Sequence, residues 1–148
     1  MASSESFADL AEALTLAGNA FRSYLRQRFK ECHLDLTAEM VQVLHYLWGH
    51  NCVNQQQIAN AVNRDKASLT AMLDNLVRRE LVERQEDRLD RRNKRIVLTA
   101  KGQALEQQVM PLVREMYAVA GQALPEQQLH AGLAMLAQIT QNLTQARK

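Results

Sequence analysis

The segment Leu81–Gly102 constrains the fold more strongly than any other part of the sequence. It contains two short runs with β-strand character, Leu81–Gln85 and Lys94–Leu98, joined by an arginine-rich loop. Positions 88–95 hold five basic residues against one acid, a net charge of +4, whereas the whole chain carries +2. Such a local cluster of cations is expected of a surface that binds phosphate groups.

The composition favours one mainly helical domain. A chain of 148 residues, 47% of them hydrophobic, can bury a substantial core as a single compact unit. Aromatic residues make up only 5%, with five glycines and two prolines, so helix is the natural expectation. No basic leader precedes an apolar run at the N-terminus, and no apolar stretch has the length of a membrane helix. We therefore expect a cytoplasmic protein.

Apolar stripes at both ends of the chain predict long amphipathic helices. Apolar residues recur at intervals of three and four from Phe7 to Phe29, and the opposite face carries cations that we interpret as solvated. A helix that begins at Ala100 is expected to bend at Pro111 rather than end there. A last helix is expected over Glu126–Ala146.

The middle of the chain is too small to cover these stripes, so pairing of two copies about a two-fold axis is the economical solution. We expect dimerisation helices at 1–36 and 100–148 around a lobe at 37–99, all within one compact chain.

The lobe contains two short helices with helix-turn-helix spacing. Asn54 can cap a helix over Gln55–Val62, and Asp65 can cap a second helix that ends near Arg79. In this geometry the second helix lies in the DNA major groove with its N-terminal residues toward the bases. The basic hairpin that follows makes this the winged form, whose loop can reach a neighbouring minor groove. The outward candidates on the second helix are Lys66, Ser68, Thr70 and Ala71.

Two motifs of the wing match a known family. Asp90-Arg91-Arg92 matches a D-x-R pattern, and Ile96–Gly102 matches a V-x-L-T-x-x-G run into the next helix. Upstream, Gln57-Ile58-Ala59 and Asp65–Thr70 match a helix-turn-helix. In these features the chain resembles the MarR family of winged helix-turn-helix regulators, over about Leu36–Gly102.

The resemblance implies a homodimer that binds a pseudo-palindromic operator in double-stranded DNA. Members of the family usually act as repressors and are released by a small ligand or by thiol oxidation. By analogy, Arg92 enters the minor groove while Asp90 orients it through a salt bridge, which charge-assisted hydrogen bonds favour. The expected DNA-binding residues are Asn54, Gln55, Lys66, Ser68, Thr70, Arg84, Arg88, Asp90, Arg91 and Arg92.

Two positions depart from the family pattern. Ala71 stands where many members place a polar or basic side chain that reads bases, so base specificity rests on few contacts. Glu80 replaces the usual glycine after the recognition helix, so that turn must close without the residue that favours a left-handed conformation.

The cysteines and two of the histidines flank the helix that precedes the helix-turn-helix. That helix is about 20 Å long, which separates the pair Cys32 and His33 from the pair His50 and Cys52. Neither a zinc site nor a disulfide is therefore expected within one chain, and no metal or other cofactor is predicted. The simplest interpretation is small apolar residues, and the alternative is redox sensing by Cys32 or Cys52. Cys32, beside Lys30 and His33, is the better sensor candidate.

His45 and Trp48 lie three residues apart on the same helix. Core packing, with the histidine satisfied by a hydrogen bond, is the simpler interpretation. The alternative is an apolar pocket for an aromatic or phenolic inducer between the lobe and the dimer helices, where the resemblance makes such pockets common. That pocket would be lined by Met40, Leu44, His45 and Trp48.

The sequence lacks the common enzyme motifs. It has no glycine-rich phosphate loop, no G-x-S-x-G and no H-E-x-x-H, so we do not expect an enzyme. A helical protein-interaction dimer without DNA binding is the alternative from a different class, and the arginine cluster argues against it. We predict a sequence-specific DNA-binding transcriptional regulator. Repression is the expected mode, and activation remains an alternative.

Overall fold

The structure is a computed structural model that describes residues 1–147. It is mainly helical with a small antiparallel sheet, which confirms the predicted fold class. No helix in this part of the chain is long and apolar enough to cross a membrane. The helices are α1 (Ser4–Glu31), α2 (Ala38–Gly49), α3 (Gln55–Val62), α4 (Lys66–Arg78), α5 (Ala100–Ala120) and α6 (Glu126–Gln145). The strands are β1 (Val53–Asn54), β2 (Val82–Glu86) and β3 (Lys94–Leu98).

Side-chain caps set the helix boundaries of the central region, including the two predicted at Asn54 and Asp65. The Thr37 hydroxyl oxygen accepts the backbone N–H of Met40 at 3.1 Å where α2 begins. Asn54 forms a reciprocal capping box with Gln57 at the start of α3. Helix α3 ends at Val62, and its C-cap residue Asn63 has a φ of 51°, in the left-handed region that asparagine tolerates. This residue turns the chain toward α4.

The wing is a three-stranded sheet rather than the predicted two-stranded hairpin. Central strand β3 pairs with β2, which begins one residue later than predicted and sets Val82 opposite Leu98. On its other side β3 pairs with β1, with Val53 opposite Ile96. The side-chain oxygen of Asn51 accepts the backbone N–H of Leu98 at 3.0 Å. The additional strand ties the start of the helix-turn-helix to the base of the wing.

Two apolar clusters stabilise the compact unit Met1–Met116. The larger cluster is the core of the winged helix-turn-helix, in which Leu44 and Leu73 are completely buried. The second cluster packs the C-terminal part of α1, with Phe29 1% exposed, against α2 and α5. An ion pair from Arg28 Nε to Glu115 Oε2 at 2.9 Å reinforces the contact between α1 and α5.

Many large apolar side chains on the terminal helices are exposed to solvent. In α1, Phe7 and Phe21 are 47% and 40% exposed. Helix α5 continues through Pro111, as predicted. The second unit begins at Tyr117 and includes α6, none of whose residues is buried. Its exposed apolar side chains include Leu124, Leu129, Leu133, Met135, Leu136 and Leu143.

Helix α4 ends in a turn that places Glu80 in the left-handed region, with φ at 60°. The backbone N–H of Leu81 donates to the Leu76 carbonyl at 3.0 Å, and that of Glu80 donates to the Val77 carbonyl at 2.9 Å. These two bonds form the helix-ending motif in which glycine is usual. The chain therefore forms a turn that favours glycine with a side chain that is strained there.

Replacing Glu80 with glycine should stabilise the protein. A non-glycine residue in this conformation costs about 1–2 kcal/mol, part of which the greater freedom of glycine in the unfolded chain offsets. We expect the free energy of unfolding to rise by about 0.5–1 kcal/mol, measured by urea denaturation at fixed protein concentration. The matched control is Glu80→Ala, which removes the carboxylate but keeps the strained Cβ and should give no such gain. Equal effects from both variants would contradict the strain argument.

Candidate nucleic-acid interface

The N-terminus of α4 is fixed by Asp65. One of its carboxylate oxygens accepts the backbone N–H of Ser68 at 2.8 Å, and the other accepts the Ser68 hydroxyl at 2.9 Å. These hydrogen bonds hold the pKa of the Asp65 carboxyl below its ordinary value, and the bond from the Ser68 backbone N–H contributes most. The contribution of the cap to stability is complete above the ordinary pKa and is lost as the pH falls through the lowered one.

A side chain of α3 holds α4 in place. Gln55 Nε2 donates to the Thr70 hydroxyl at 2.5 Å and lies 3.5 Å from the Lys66 carbonyl oxygen. The Thr70 hydroxyl in turn donates to the same Lys66 carbonyl at 2.8 Å. Gln55 and Thr70, both predicted to contact DNA, thus contact each other and fix the angle between the two helices.

The wing loop, Asp87–Asn93, is held by short-range polar turns. The Asp87 carboxylate accepts the backbone N–H of Leu89 at 3.0 Å, and the Asp90 carboxylate accepts that of Arg92 at 3.0 Å. The predicted salt bridge between Asp90 and Arg92 is therefore corrected, because the carboxylate contacts the backbone and not the guanidinium. A carboxylate two residues before an N–H forms this turn readily. Asp90 shapes the loop and leaves the Arg92 side chain exposed.

Two arginines of the region are engaged within the protein. Arg84, predicted to bind DNA, pairs with Asp74 of α4 through Nη2 and Oδ1 at 2.6 Å. Arg95 pairs with Asp87 through Nε and Oδ2 at 3.4 Å and donates to the Cys52 carbonyl at 3.1 Å. Both therefore brace the wing. Within residues 1–147, no salt bridge to a carboxylate engages the basic side chains of Lys66, Arg88, Arg91, Arg92 and Lys94.

A cationic cleft of about 440 Å³ lies between the wing and the helix-turn-helix. It brings five of the predicted DNA-binding residues together, whereas Ser68 and Thr70 lie on α4 and Arg88, Asp90 and Arg91 lie in the wing loop, all outside its lining. The sequence did not single out Gln56, Ala59, Asn93 or Lys94 as lining residues. The lining residues are Asn54, Gln55, Gln56, Ala59, Lys66, Arg84, Arg92, Asn93 and Lys94.

Comparison with known proteins assigns this region to a family. The sequence model of the MarR family matches residues 36–94, which include the helix-turn-helix and most of the wing. This winged helix-turn-helix region belongs to the MarR family. The protein is accordingly a DNA-binding transcriptional regulator and not an enzyme, as predicted.

Solved structures of MarR-family proteins have the same fold over most of this chain. One is a complex of S. aureus MepR with DNA, at 25% identity and a TM-score of 0.83, covering 89% of this chain and 96% of that one. Another is S. aureus MepR in a DNA-binding conformation, at 26% identity and a TM-score of 0.77, covering 90% and 98%. The regulator SlyA has a TM-score of 0.81 at 22% identity, covering 93% and 95%. No curated protein matches the sequence significantly.

A second cavity, of about 580 Å³, opens beside α2. His45 and Trp48 line it, whereas Met40 and Leu44 do not, because they face the core at 4% and 0% exposure. His45 is exposed, so its interpretation as a core residue is wrong. Sequence reasoning also missed the stacked rings of Tyr46 and His50, 4.5 Å apart. The lining residues are Gln42, His45, Tyr46, Trp48, Gly49, His50, Ala61, Val62, Asn63 and Glu106.

The two cysteines have different surroundings. Both are exposed free thiols. Cys32 lies at the end of α1, whereas Cys52 lies at the base of the wing with its sulfur 4.0 Å from Arg95 Nη1 and with φ at 66°. The structure thus places a cation beside Cys52, which was not the favoured candidate. In the described part of the chain, no group of three or more His, Cys, Asp or Glu residues is arranged to hold a metal ion.

Proposed function

We propose that the protein is a homodimeric repressor that occupies a pseudo-palindromic operator. The observation that carries this proposal is the cationic cleft beside the N-terminus of α4, with Arg92 exposed at its wing side. Phosphate neutralisation by wing and cleft cations supplies most of the affinity, and α4 in the major groove supplies sequence preference. Arg92 enters the adjacent minor groove.

The exposed stripes of the terminal helices support the homodimer. Apolar residues such as Phe7 on α1 and Leu133 on α6 recur with helical spacing and remain open to water in the single chain. A two-fold pair would bury these stripes and set two recognition helices about one DNA turn apart, roughly 34 Å.

The cavity beside α2 supports control by a small organic effector. Its volume of about 580 Å³ falls within the range of ligand pockets, and the aromatic and imidazole rings of Tyr46, Trp48, His45 and His50 line it. A phenolic acid bound there would stabilise a conformation in which the spacing of the recognition helices no longer fits the operator. Trp48, the only tryptophan of the chain, lines the cavity and reports on its occupancy by fluorescence.

The decisive experiment is a titration of labelled double-stranded fragments, taken from beside the protein's own gene, at several salt concentrations. Selective tight binding to one fragment, with a steep loss of affinity as salt rises, is the expected result. Adding salicylate or 4-hydroxybenzoate should then change Trp48 fluorescence and weaken that binding together. Equal weak binding to every fragment, with and without these acids, would overturn the proposed function.

Thiol control through Cys52 is the second candidate, because Arg95 lies beside that sulfur at the base of the wing. Mild peroxide should lower operator affinity several-fold in the unmodified protein, and reductant should restore it, since oxidation next to Arg95 disturbs the wing. Cys52→Ser should abolish the response, whereas Cys32→Ser should retain it. Persistence of the response in Cys52→Ser would exclude this cysteine as the sensor.

A further inference from the structure

The polar side chains expected to read bases are largely occupied within the protein. Ser68 donates its hydroxyl proton to Asp65 at 2.9 Å, and Thr70 donates its own to the Lys66 carbonyl at 2.8 Å. The Gln55 amide group is directed at Thr70. Neither hydroxyl therefore has a proton left for the acceptor atoms of adenine, guanine or thymine that line the major groove.

The surface that α4 does present contains two methyl groups. Ala67 and Ala71 are both exposed, and both lie in the N-terminal half of the helix that enters the groove. Residues four apart on a helix lie on the same face, so their methyl groups are neighbours. Alanine contacts apolar groups in DNA, and the C5-methyl group of thymine is the apolar group that the major groove offers.

We propose that α4 reads its half-site by packing Ala67 and Ala71 against thymine C5-methyl groups. The inference rests on the proposed function, because it requires α4 to lie in the major groove. The inference assigns base specificity to Ala71, where the family usually has a polar or basic side chain that reads bases. It predicts that the bases opposite Ala67 and Ala71 are thymines. Lys66 adds a cation at the edge of this apolar patch.

The test uses half-site sequences selected by the full-length protein from a random double-stranded library. Each thymine of the selected sequence is replaced in turn by deoxyuridine, which removes the C5-methyl group and leaves every hydrogen-bonding group unchanged. One or two positions per half-site should each lose about fourfold in affinity, the value of one buried methyl group. As a control, a methyl group is added elsewhere in the half-site by replacing cytosine with 5-methylcytosine outside these positions. This change should leave the affinity unchanged.

Variants of the protein link the lost methyl groups to the two alanines. Ala71→Gly should bind thymine and uracil half-sites equally at one position, whereas Ala104→Gly, at an exposed site on α5, should retain the full discrimination. Circular dichroism checks that the helices persist in both variants. Selection of a defined sequence that tolerates uracil throughout would overturn this inference alone. Failure to select any sequence would overturn the proposed function as well.

Discussion

Replacing Gly102 with alanine should destabilise the protein by about 2–4 kcal/mol, measured as the free energy of unfolding in urea. A Cβ atom at this position would lie 2.0 Å from the carbonyl oxygen of Leu81 and 2.9 Å from its carbonyl carbon. These are backbone atoms, and the same carbonyl oxygen accepts the N–H of Thr99 at 3.1 Å, so it cannot move aside without breaking that bond. The Gly102 carbonyl also accepts the indole N–H of Trp48 at 3.0 Å.

The matched control for this change is Gly49→Ala. Nothing lies within 4 Å of a Cβ built at Gly49, and that glycine lies at the end of α2. We expect the control to leave stability within about 1 kcal/mol of the unmodified protein, because alanine is favoured over glycine in helices. If Gly102→Ala were equally mild, the approach of α5 to the start of the wing would be looser than the structure indicates.

Replacing Arg92 with alanine should lower operator affinity about 10- to 100-fold without changing the dimer or its stability. The side chain is exposed on the wing, and the turn that holds this residue uses its backbone N–H, which the substitution keeps. Since a dimer has two wings, the slope of the logarithm of affinity against the logarithm of salt concentration should become less steep by about two. A filter-binding or fluorescence-anisotropy titration measures both quantities.

Two variants separate the position of Arg92 from its charge. Arg92→Lys keeps the cation and should recover the salt slope but only part of the affinity, because lysine lacks the planar guanidinium. Arg26→Ala removes an exposed cation from α1 and should leave both quantities unchanged. Unchanged operator binding by Arg92→Ala would refute the assignment of the wing to the minor groove.

The sequence predicted the helices well because their ends are determined by neighbouring residues. Thr37, Asn54 and Asp65 each cap the helix that immediately follows, and a cap is recognisable within a four-residue window. Strand β1 could not be predicted in this way, because its two residues acquire strand geometry only by pairing with β3 far along the chain. Tertiary context decides such short elements.

In the candidate site too, the sequence predicted features that depend on neighbouring residues and missed those that depend on contacts between distant parts of the chain. The composition of the wing and its D-x-R motif identified the cationic surface, but they could not show that Arg84 pairs with Asp74 of α4. In α2 the sequence grouped Met40 and Leu44 with His45 and Trp48. The first two face the core and the others line the cavity. Adjacent residues such as Leu44 and His45 therefore point in different directions from the same helix, and only their burial in the structure shows which is which.

The open stripe of α1 has a consequence for the abundance of the protein in the cell. In the proposed dimer, assembly covers side chains such as Phe7 and Phe21 that the single chain leaves 47% and 40% exposed. Stability and assembly then obey one mass-action equilibrium, in which dilution favours the less stable single chain. A regulator built in this way would lose subunits to proteolysis when scarce and keep them when plentiful, so its intracellular concentration would itself influence how long each molecule survives.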